Sequence, residues 1–75
     1  MKVFPNPVQD MLFVSVQMLD KDANIQVYNA QGMLVQHVLL VKTNQGISLS
    51  GLAAGIYFVH VKNGLEITRK KIVKL

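Results

Sequence analysis

The stretch that decides the fold runs from Ser50 to Gly64 and reads Ser-Gly-Leu-Ala-Ala-Gly-Ile-Tyr-Phe-Val-His-Val-Lys-Asn-Gly. Gly51 and Gly55 permit sharp backbone bends, because a residue without a Cβ adopts positive φ at little cost. The apolar run from Ile56 to Lys62 predicts a strand. Asn63-Gly64 matches a type I′ hairpin turn, so we expect a last strand to return antiparallel beside this one.

Six further segments read as short strands, and no segment has helical periodicity. Met33 to Val41 has an ambiguous alternation of apolar residues, which predicts a bulge or burial on both sides. In the last segment Ile67 and Ile72 cannot share a face of a regular strand, which predicts a bulge or a register change near Arg69. The six segments are Val3-Phe4, Met11 to Met18, Asn24 to Asn29, Met33 to Val41, a short strand with Ile47 and Leu49, and Leu65 to Val73. The chain is therefore predicted to be all-β, an antiparallel immunoglobulin-like β-sandwich of about seven short strands.

Length and composition limit what such a chain can be. Its 75 residues suffice for a single domain, and the 51% of apolar residues argue against disorder. The absence of cysteine excludes disulfides and thiolate metal sites. No apolar run reaches the length of a transmembrane segment. No signal peptide precedes Pro5-Asn6-Pro7, and we expect residues 1–75 to be a domain excised from a larger protein.

The net charge of +4 is a C-terminal feature. The other basic residues balance the four acidic ones, which leaves Arg69, Lys70, Lys71 and Lys74 as the excess. A basic cluster attracts nucleic acid irrespective of sequence, but single-strand binders also need exposed aromatic residues for stacking, and few are present. Lysines that protect an edge strand are the simpler interpretation, and we expect no nucleic-acid partner.

Catalytic and metal-binding patterns fail. His37 and His60 lie at strand positions predicted to face outward, and no serine stands in a Gly-x-Ser-x-Gly motif. Asp20-x-Asp22-x-Asn24 has the spacing that opens a calcium loop, but Ile25 replaces the required glycine and Gln31 the required glutamate. The sequence therefore predicts no enzyme, no metal site and no cofactor.

Some apolar residues are expected on the outside. If Tyr57, Val59 and Val61 face the core, then Ile56 and Phe58 face outward, and the same parity places Met11 and Phe13 outward. An exposed apolar patch usually marks an interaction surface. These residues, Met11, Phe13, Ile56 and Phe58, are predicted to form a docking face for a partner or for a homodimer.

Four segments of the chain, in order, resemble a known family. They are Phe4-Pro5-Asn6-Pro7-Val8 with Asp10-x-Leu12, Ile25-x-Val27-Tyr28-Asn29-x-x-Gly32, Leu49-Ser50-Gly51-Leu52-Ala53-Ala54-Gly55-Ile56-Tyr57, and Lys70-Lys71-Ile72-Val73-Lys74. Together they resemble the C-terminal sorting domain of proteins exported by the type IX secretion system of Bacteroidetes. The resemblance spans essentially the whole chain.

The resemblance implies a non-catalytic signal that directs a cargo protein through the periplasm and the outer membrane to the cell surface. Its implied partners are the type IX translocation and sortase machinery and an upstream cargo domain. The residues that would take part in recognition are Pro5, Asn6 and Pro7, then Gly51, Gly55 and Tyr57, then Arg69, Lys70, Lys71, Ile72, Val73, Lys74 and Leu75. We expect the last strand to offer its backbone edge to a partner by strand addition.

An alternative function is an immunoglobulin-like adhesion or carbohydrate-binding module of an extracellular protein. Tyr28 and Phe58 would then contact the glycan. The small number of exposed aromatic residues places this alternative second.

Overall fold

A computed structural model describes residues 1–75 as two antiparallel sheets packed face to face. The strands are β1 (Lys2–Phe4), β2 (Met11–Ser15), β3 (Asn24–Asn29), β4 (Leu34–Leu39), β5 (Asn44–Ser48), β6 (Gly55–Asn63) and β7 (Glu66–Lys74). One sheet has the order β1-β2-β5, and the other has the order β4-β3-β6-β7. The predicted β-sandwich of seven antiparallel strands is confirmed.

The strand order is that of an immunoglobulin-like sandwich in which the fourth strand has changed sheets. In a constant-type immunoglobulin domain the first, second, fourth and fifth strands share one sheet, and the third shares the other sheet with the last two. Here β4 pairs with β3 instead, in an antiparallel register that runs from Asn24 opposite Leu39 to Tyr28 opposite Leu34. Both β4 and β7 are therefore edge strands of the larger sheet.

The core lies between the inner faces of the two sheets and is built from alternate residues of each strand. β2 contributes Leu12 and Val14, and the opposing sheet contributes residues of β3, β6 and β7. The largest fully buried side chains are Leu12, Ile25, Leu49, Ile72, Val8, Val14, Val27, Val59 and Val61. Each such side chain contributes roughly 1.5–3 kcal/mol on burial, which is how a chain without disulfides holds two small sheets together.

The β6–β7 hairpin differs from its prediction in two ways. Asn63 pairs with Glu66, so the two-residue turn is Gly64-Leu65 and not Asn63-Gly64. Gly64 has φ 66° and Leu65 is not among the residues with positive φ, which fits a type II′ turn with glycine first. The register then runs without interruption from Glu66 to Lys74, so the bulge predicted near Arg69 is wrong.

The parity conflict in β7 is resolved by exposure. Ile72 is fully buried, whereas Ile67 lies on the other face and is 46% exposed. The strand stays regular because its first half lies beside the hairpin turn. An outward-facing isoleucine there lowers the stability of the fold only slightly. An apolar residue at the surface is common in folded proteins and does not by itself imply a bulge.

Other strand predictions are confirmed or adjusted at their ends. The register of β3 against β4 shifts between Val27 and Tyr28, which leaves Val35 as the extra residue of the predicted bulge. β2 ends at Ser15, earlier than expected, and Met18 is exposed. β5 spans Asn44–Ser48, so it begins before the predicted Ile47 and ends before Leu49.

Candidate partner-recognition site

The three segments that the resemblance singles out meet around the C-terminal half of β7. In the ladder between β6 and β7, Tyr57 lies opposite Ile72 and Gly55 lies opposite Lys74. On the other edge of β7, Val8 forms a parallel bridge with Lys74. Residues from the beginning, the middle and the end of the sequence thus form one contiguous region.

The Pro5-Asn6-Pro7 segment lies along the edge of β7 and hydrogen bonds with it. The Asn6 side chain accepts a hydrogen bond from the Val73 backbone N–H at 3.0 Å and donates one to the Lys71 carbonyl oxygen at 3.3 Å. The Val8 N–H donates to the Val73 carbonyl oxygen at 2.8 Å, and the Leu75 N–H donates to the Val8 carbonyl oxygen at 2.9 Å. Asn6 therefore replaces a neighbouring strand's backbone, and Val8 continues the pairing. We call the segment Pro5 to Val8 the clasp.

The loop before β6 is closed by a tyrosine. Gly51 and Gly55 have φ values of 90° and 149°, a region that other residues rarely adopt. The Tyr57 hydroxyl donates a hydrogen bond to the Ala53 carbonyl oxygen at 2.7 Å. A tyrosine at this corner of an immunoglobulin-like domain, with its hydroxyl bonded a few residues upstream, is the tyrosine corner. Tyr57 is only 7% exposed, so its role is to hold the loop against β6.

The side chains of β7 divide into two sets. Ile72 and Lys74 are buried on the inner face, and the Lys74 ammonium donates to the Leu75 carbonyl oxygen at 3.3 Å. Lys70 also lies on the inner side, and its ammonium donates to the Val3 carbonyl oxygen at 2.9 Å, which links β7 to β1 of the opposite sheet. Arg69 and Lys71 alternate with these residues and are exposed on the outer face.

The outer face of the larger sheet is positively charged. In the register of β6 with β7, Phe58 lies opposite Lys71, His60 opposite Arg69, and Lys62 opposite Ile67. β3 contributes the uncharged residues Asn24, Gln26 and Tyr28 to this face, so no carboxylate balances the cations there. The Tyr28 and His60 rings are 4.7 Å apart, between their centroids.

The pKa of His60 reflects this environment. Burial in the face lowers the pKa of His60 from its ordinary value, and the positive charge of Arg69 lowers it further. The neutral imidazole is therefore favoured in the folded chain. His37 and His60 both face outward, as predicted. They lie on either side of Gln26, on the two strands that flank β3.

The predicted docking face is not a single surface. Met11 and Phe13 lie on the outer face of the β1-β2-β5 sheet, where Phe13 stacks on Phe4 with ring centroids 5.9 Å apart. Ile56 and Phe58 lie on the outer face of the other sheet, next to Val73 and Lys71. The expectation of one shared face is wrong, because outward residues of the two sheets of a sandwich point in opposite directions.

Glycine at position 46 shapes the first of these two surfaces. Gly46 lies opposite Phe13 in the pairing of β2 with β5. A Cβ at this position would lie 2.9 Å from both the Met11 Cε and the Phe13 Cε1 atoms. The two apolar side chains can therefore lie flat across the backbone of β5 only because Gly46 has no side chain.

Two residues with clear structural roles were not predicted, Val8 at this site and Asn63 at the opposite end of β6. Val8 follows the Pro-Asn-Pro motif and is fully buried while it pairs with β7. Asn63 is nearly buried; its side chain accepts from the Asp20 N–H at 2.8 Å and donates to the Met18 carbonyl oxygen at 2.7 Å. The sequence analysis assigns Asn63 to a turn. However, Asn63 follows the inward-facing residues Val59 and Val61 at the same spacing of two, and an asparagine at such a position also suits a buried hydrogen-bonding role.

No group of three His, Asp or Glu side chains comes together in a way that could hold a metal ion. The structure also holds no helix that is long and apolar enough to cross a membrane. What the site presents is a strand edge, exposed cations and a packed scaffold behind them.

Comparison with known proteins identifies the family. Residues 2–75 match the family described as Secretion system C-terminal sorting domain. Beta-agarase A of Zobellia galactanivorans is 39% identical over 59 residues, which is 79% of this chain and 11% of the agarase. The chain is thus similar to a small part of that enzyme, its tail. No solved structure matches the chain.

The family match covers nearly the whole chain, and the region around β7 unites three of the four segments that the resemblance is based on. A sorting domain of this kind is non-catalytic and directs its cargo by type IX secretion to the cell surface. The chain belongs to the secretion system C-terminal sorting domain family.

Proposed function

We propose that this sorting domain is recognised through the outer side of β7, and that Arg69 and Lys71 make the polar contact with the type IX translocation and sortase machinery at the outer membrane. The observation that carries the proposal is the position of these two cations. Both are exposed, both lie on the face that has no carboxylate, and both adjoin the region where the three family segments meet. An acidic surface on a partner would complement them.

Burial and hydrogen bonding support a smaller set of contact residues than the sequence predicted. Tyr57, Ile72 and Lys74 are buried, and the Lys70 ammonium is bonded to Val3. These residues hold the shape of β7, as do Gly51 and Gly55, whose positive φ sets the loop before β6. The contact is therefore assigned to Arg69, Lys71, Val73 and Leu75, all of which are exposed.

The test is a secretion assay with a matched control. A reporter fused upstream of residues 1–75 is expressed in a type IX-competent strain and measured in the periplasm and at the cell surface. The double substitution Arg69→Ala and Lys71→Ala should retain the reporter in the periplasm, as should deletion of residues 70–75. Lys21→Ala with Lys42→Ala removes the same charge from exposed sites outside β7 and should leave secretion unchanged. Equal secretion of both double variants would refute the assignment.

The upstream cargo and the homodimer belong to the same proposal. A reporter that is secreted only when it precedes this domain supports the view that residues 1–75 are one domain of a larger protein. For self-association, the two apolar surfaces can be separated by experiment. Light scattering of Phe13→Asp and Phe58→Asp variants across a concentration series should show loss of the dimer in only one of them. A strict monomer in the unsubstituted chain would end the homodimer proposal.

A further inference from the structure

The edge of β7 that faces away from β6 is only partly free. Alternate residues of an antiparallel strand direct their N–H and C=O groups toward the same neighbour. The bonds that Val73 makes with the clasp show that Val73 points away from β6. Lys71, Arg69 and Ile67 precede it at steps of two in a regular register, so their backbone groups point the same way.

The clasp closes the second half of this edge. Asn6 engages the Lys71 carbonyl and the Val73 N–H, and Val8 engages the Val73 carbonyl and the Leu75 N–H. β7 is the last strand of its sheet, and no other backbone hydrogen bond reaches this edge. The Ile67 and Arg69 backbone groups and the Lys71 N–H remain available. An edge with free backbone groups is a template for pairing with another strand.

We infer that the clasp is a built-in occupant of β7 that confines strand addition to Ile67–Lys71, and that the partner there is an extended acidic segment. The inference rests on the proposed function of β7. It adds that the clasp limits which part of the β7 edge can pair with a partner strand. Asn6 is the limiting residue, because its side chain alone occupies the position where an added strand would continue past Lys71.

The charge of the open half selects the partner. Within Ile67–Lys71 the side chains on the outer face are Ile67, Arg69 and Lys71, and those on the inner side are Thr68 and Lys70. Like charges placed beside one another across strands are destabilising, and opposite charges are favourable. A basic segment, including a second copy of β7, would therefore be disfavoured, while acidic residues at every second position of the added strand would lie beside the two outer cations.

Amide exchange measured by NMR on the 75-residue chain tests the inference. The probe is a synthetic peptide of alternating valine and glutamate, seven residues long and blocked at both ends. The control probe alternates valine and lysine. In the unsubstituted chain the acidic peptide should slow exchange at the Arg69 and Lys71 amides, whereas the Val73 amide should be slow with or without it, because Asn6 already holds that N–H.

Asn6→Ala should extend the open edge. Without peptide the Val73 amide becomes fast, and with the acidic peptide it becomes slow again. Two added backbone hydrogen bonds should tighten peptide binding roughly tenfold. Asn44→Ala, at an exposed position in the other sheet, is the matched control and should change neither measurement. Asn6→Asp keeps the acceptor for Val73 but loses the donor to Lys71, so it should leave the Val73 amide slow.

The outcomes separate this inference from the proposed function. The inference is overturned if the acidic peptide protects no amide of β7, if the lysine peptide protects Arg69 and Lys71 equally, or if Asn6→Ala leaves the Val73 amide and the peptide affinity unchanged. None of these results alters the secretion assay of the Arg69 and Lys71 variants. A loss of secretion in those variants together with an inert edge would retain β7 as the recognition element and remove strand addition as its mode.

Discussion

Tyr57→Phe separates a structural role of the tyrosine corner from a role in recognition. The substitution keeps the ring in the core and removes only the hydroxyl that donates to the Ala53 carbonyl oxygen at 2.7 Å. A typical intramolecular hydrogen bond contributes a net 0.5–1.5 kcal/mol, roughly. Ala53 is exposed, so water can replace the lost donor and the full cost of a buried unpaired carbonyl is avoided. We therefore expect the free energy of unfolding to fall by about 1 kcal/mol.

This value predicts a measurable shift in thermal unfolding. A chain of 75 residues has an unfolding entropy of about 160 cal/mol/K at its midpoint, so a loss of about 1 kcal/mol lowers Tm by about 6 °C. Circular dichroism during heating measures the shift. Tyr28→Phe is the matched control, because the Tyr28 hydroxyl bonds only to the nearby Gln26 side chain at 2.7 Å on the outer face. Its Tm should change by less than half as much.

Secretion then gives the decisive comparison. Tyr57 is buried, so a partner cannot reach its hydroxyl in the folded domain. A reporter that carries Tyr57→Phe should be exported as well as the unsubstituted one at temperatures well below Tm. The reasoning is refuted if secretion fails while Tm is unchanged, since the hydroxyl would then serve recognition and not stability.

Three further predictions concern stability. Asn63→Ala removes the two hydrogen bonds that hold Met18 and Asp20, and should lower the free energy of unfolding by about 2 kcal/mol in urea denaturation. The control Asn44→Ala, at an exposed position, should change it little. Equal effects of the two substitutions would contradict this prediction. Gly64→Ala should destabilise the fold by about 1 kcal/mol or more, because φ is 66° and the new Cβ would meet the Asp20 carboxylate. Adding Asp20→Ala should recover only the stability lost to the contact with Asp20, and not the stability lost to the positive φ. Full recovery would show that the turn tolerates alanine. The pKa of His60 is lowered in the folded chain, so the unfolded chain binds more protons as pH falls below about 6.5, and stability should be greatest above that pH and decrease below it. His60→Gln should flatten this part of the pH profile and Arg69→Gln should weaken it, and an unchanged slope in both would exclude His60 as the source.

Much of the sandwich is predictable from periodicity because it depends on which residues are buried. Leu12 with Val14, and Val59 with Val61, alternate at a period of two and lie in the core as the pattern predicts. The bulge in β4 was also foreseeable, since two competing apolar series in one strand require an extra residue, which is Val35. These features are local, and the sequence carries them directly.

The errors arose where local rules compete with neighbours distant in sequence. Asn63-Gly64 satisfies the preferences of a type I′ turn, but Asn63 is drawn into β6 by its bonds to Met18 and Asp20. The turn moved by one residue as a result. In the same way the positions of Ile67 and Ile72 suggested a bulge. The alternation of residues along one strand cannot show that the first half of β7 lies near solvent, where Ile67 can stay exposed on the outer face. Single-strand patterns do not report where a sheet ends.

Parity also could not show which outward residues share a surface. Met11, Phe13, Ile56 and Phe58 are all exposed as predicted, yet two lie on each sheet. Their assignment to one face required knowledge of strand order, and strand order depends on contacts between β3 and β6, which are far apart in the chain. Three of the four segments that carry the resemblance, in contrast, do come together around β7.

The geometry of the clasp explains why these segments belong together in a sorting signal. Asn6 and Val73 are separated by 67 residues, so their hydrogen bond requires a fold that brings the two ends of the chain together. The last strand of an unfolded chain would have a fully open edge, no clasp and no opposing β6. A partner that reads the short open edge between Ile67 and Lys71, beside the cations of the outer face, can therefore distinguish a folded domain from an unfolded one. β7 contains the charge, but the clasp near the beginning of the chain determines how much of the outer edge of β7 stays open.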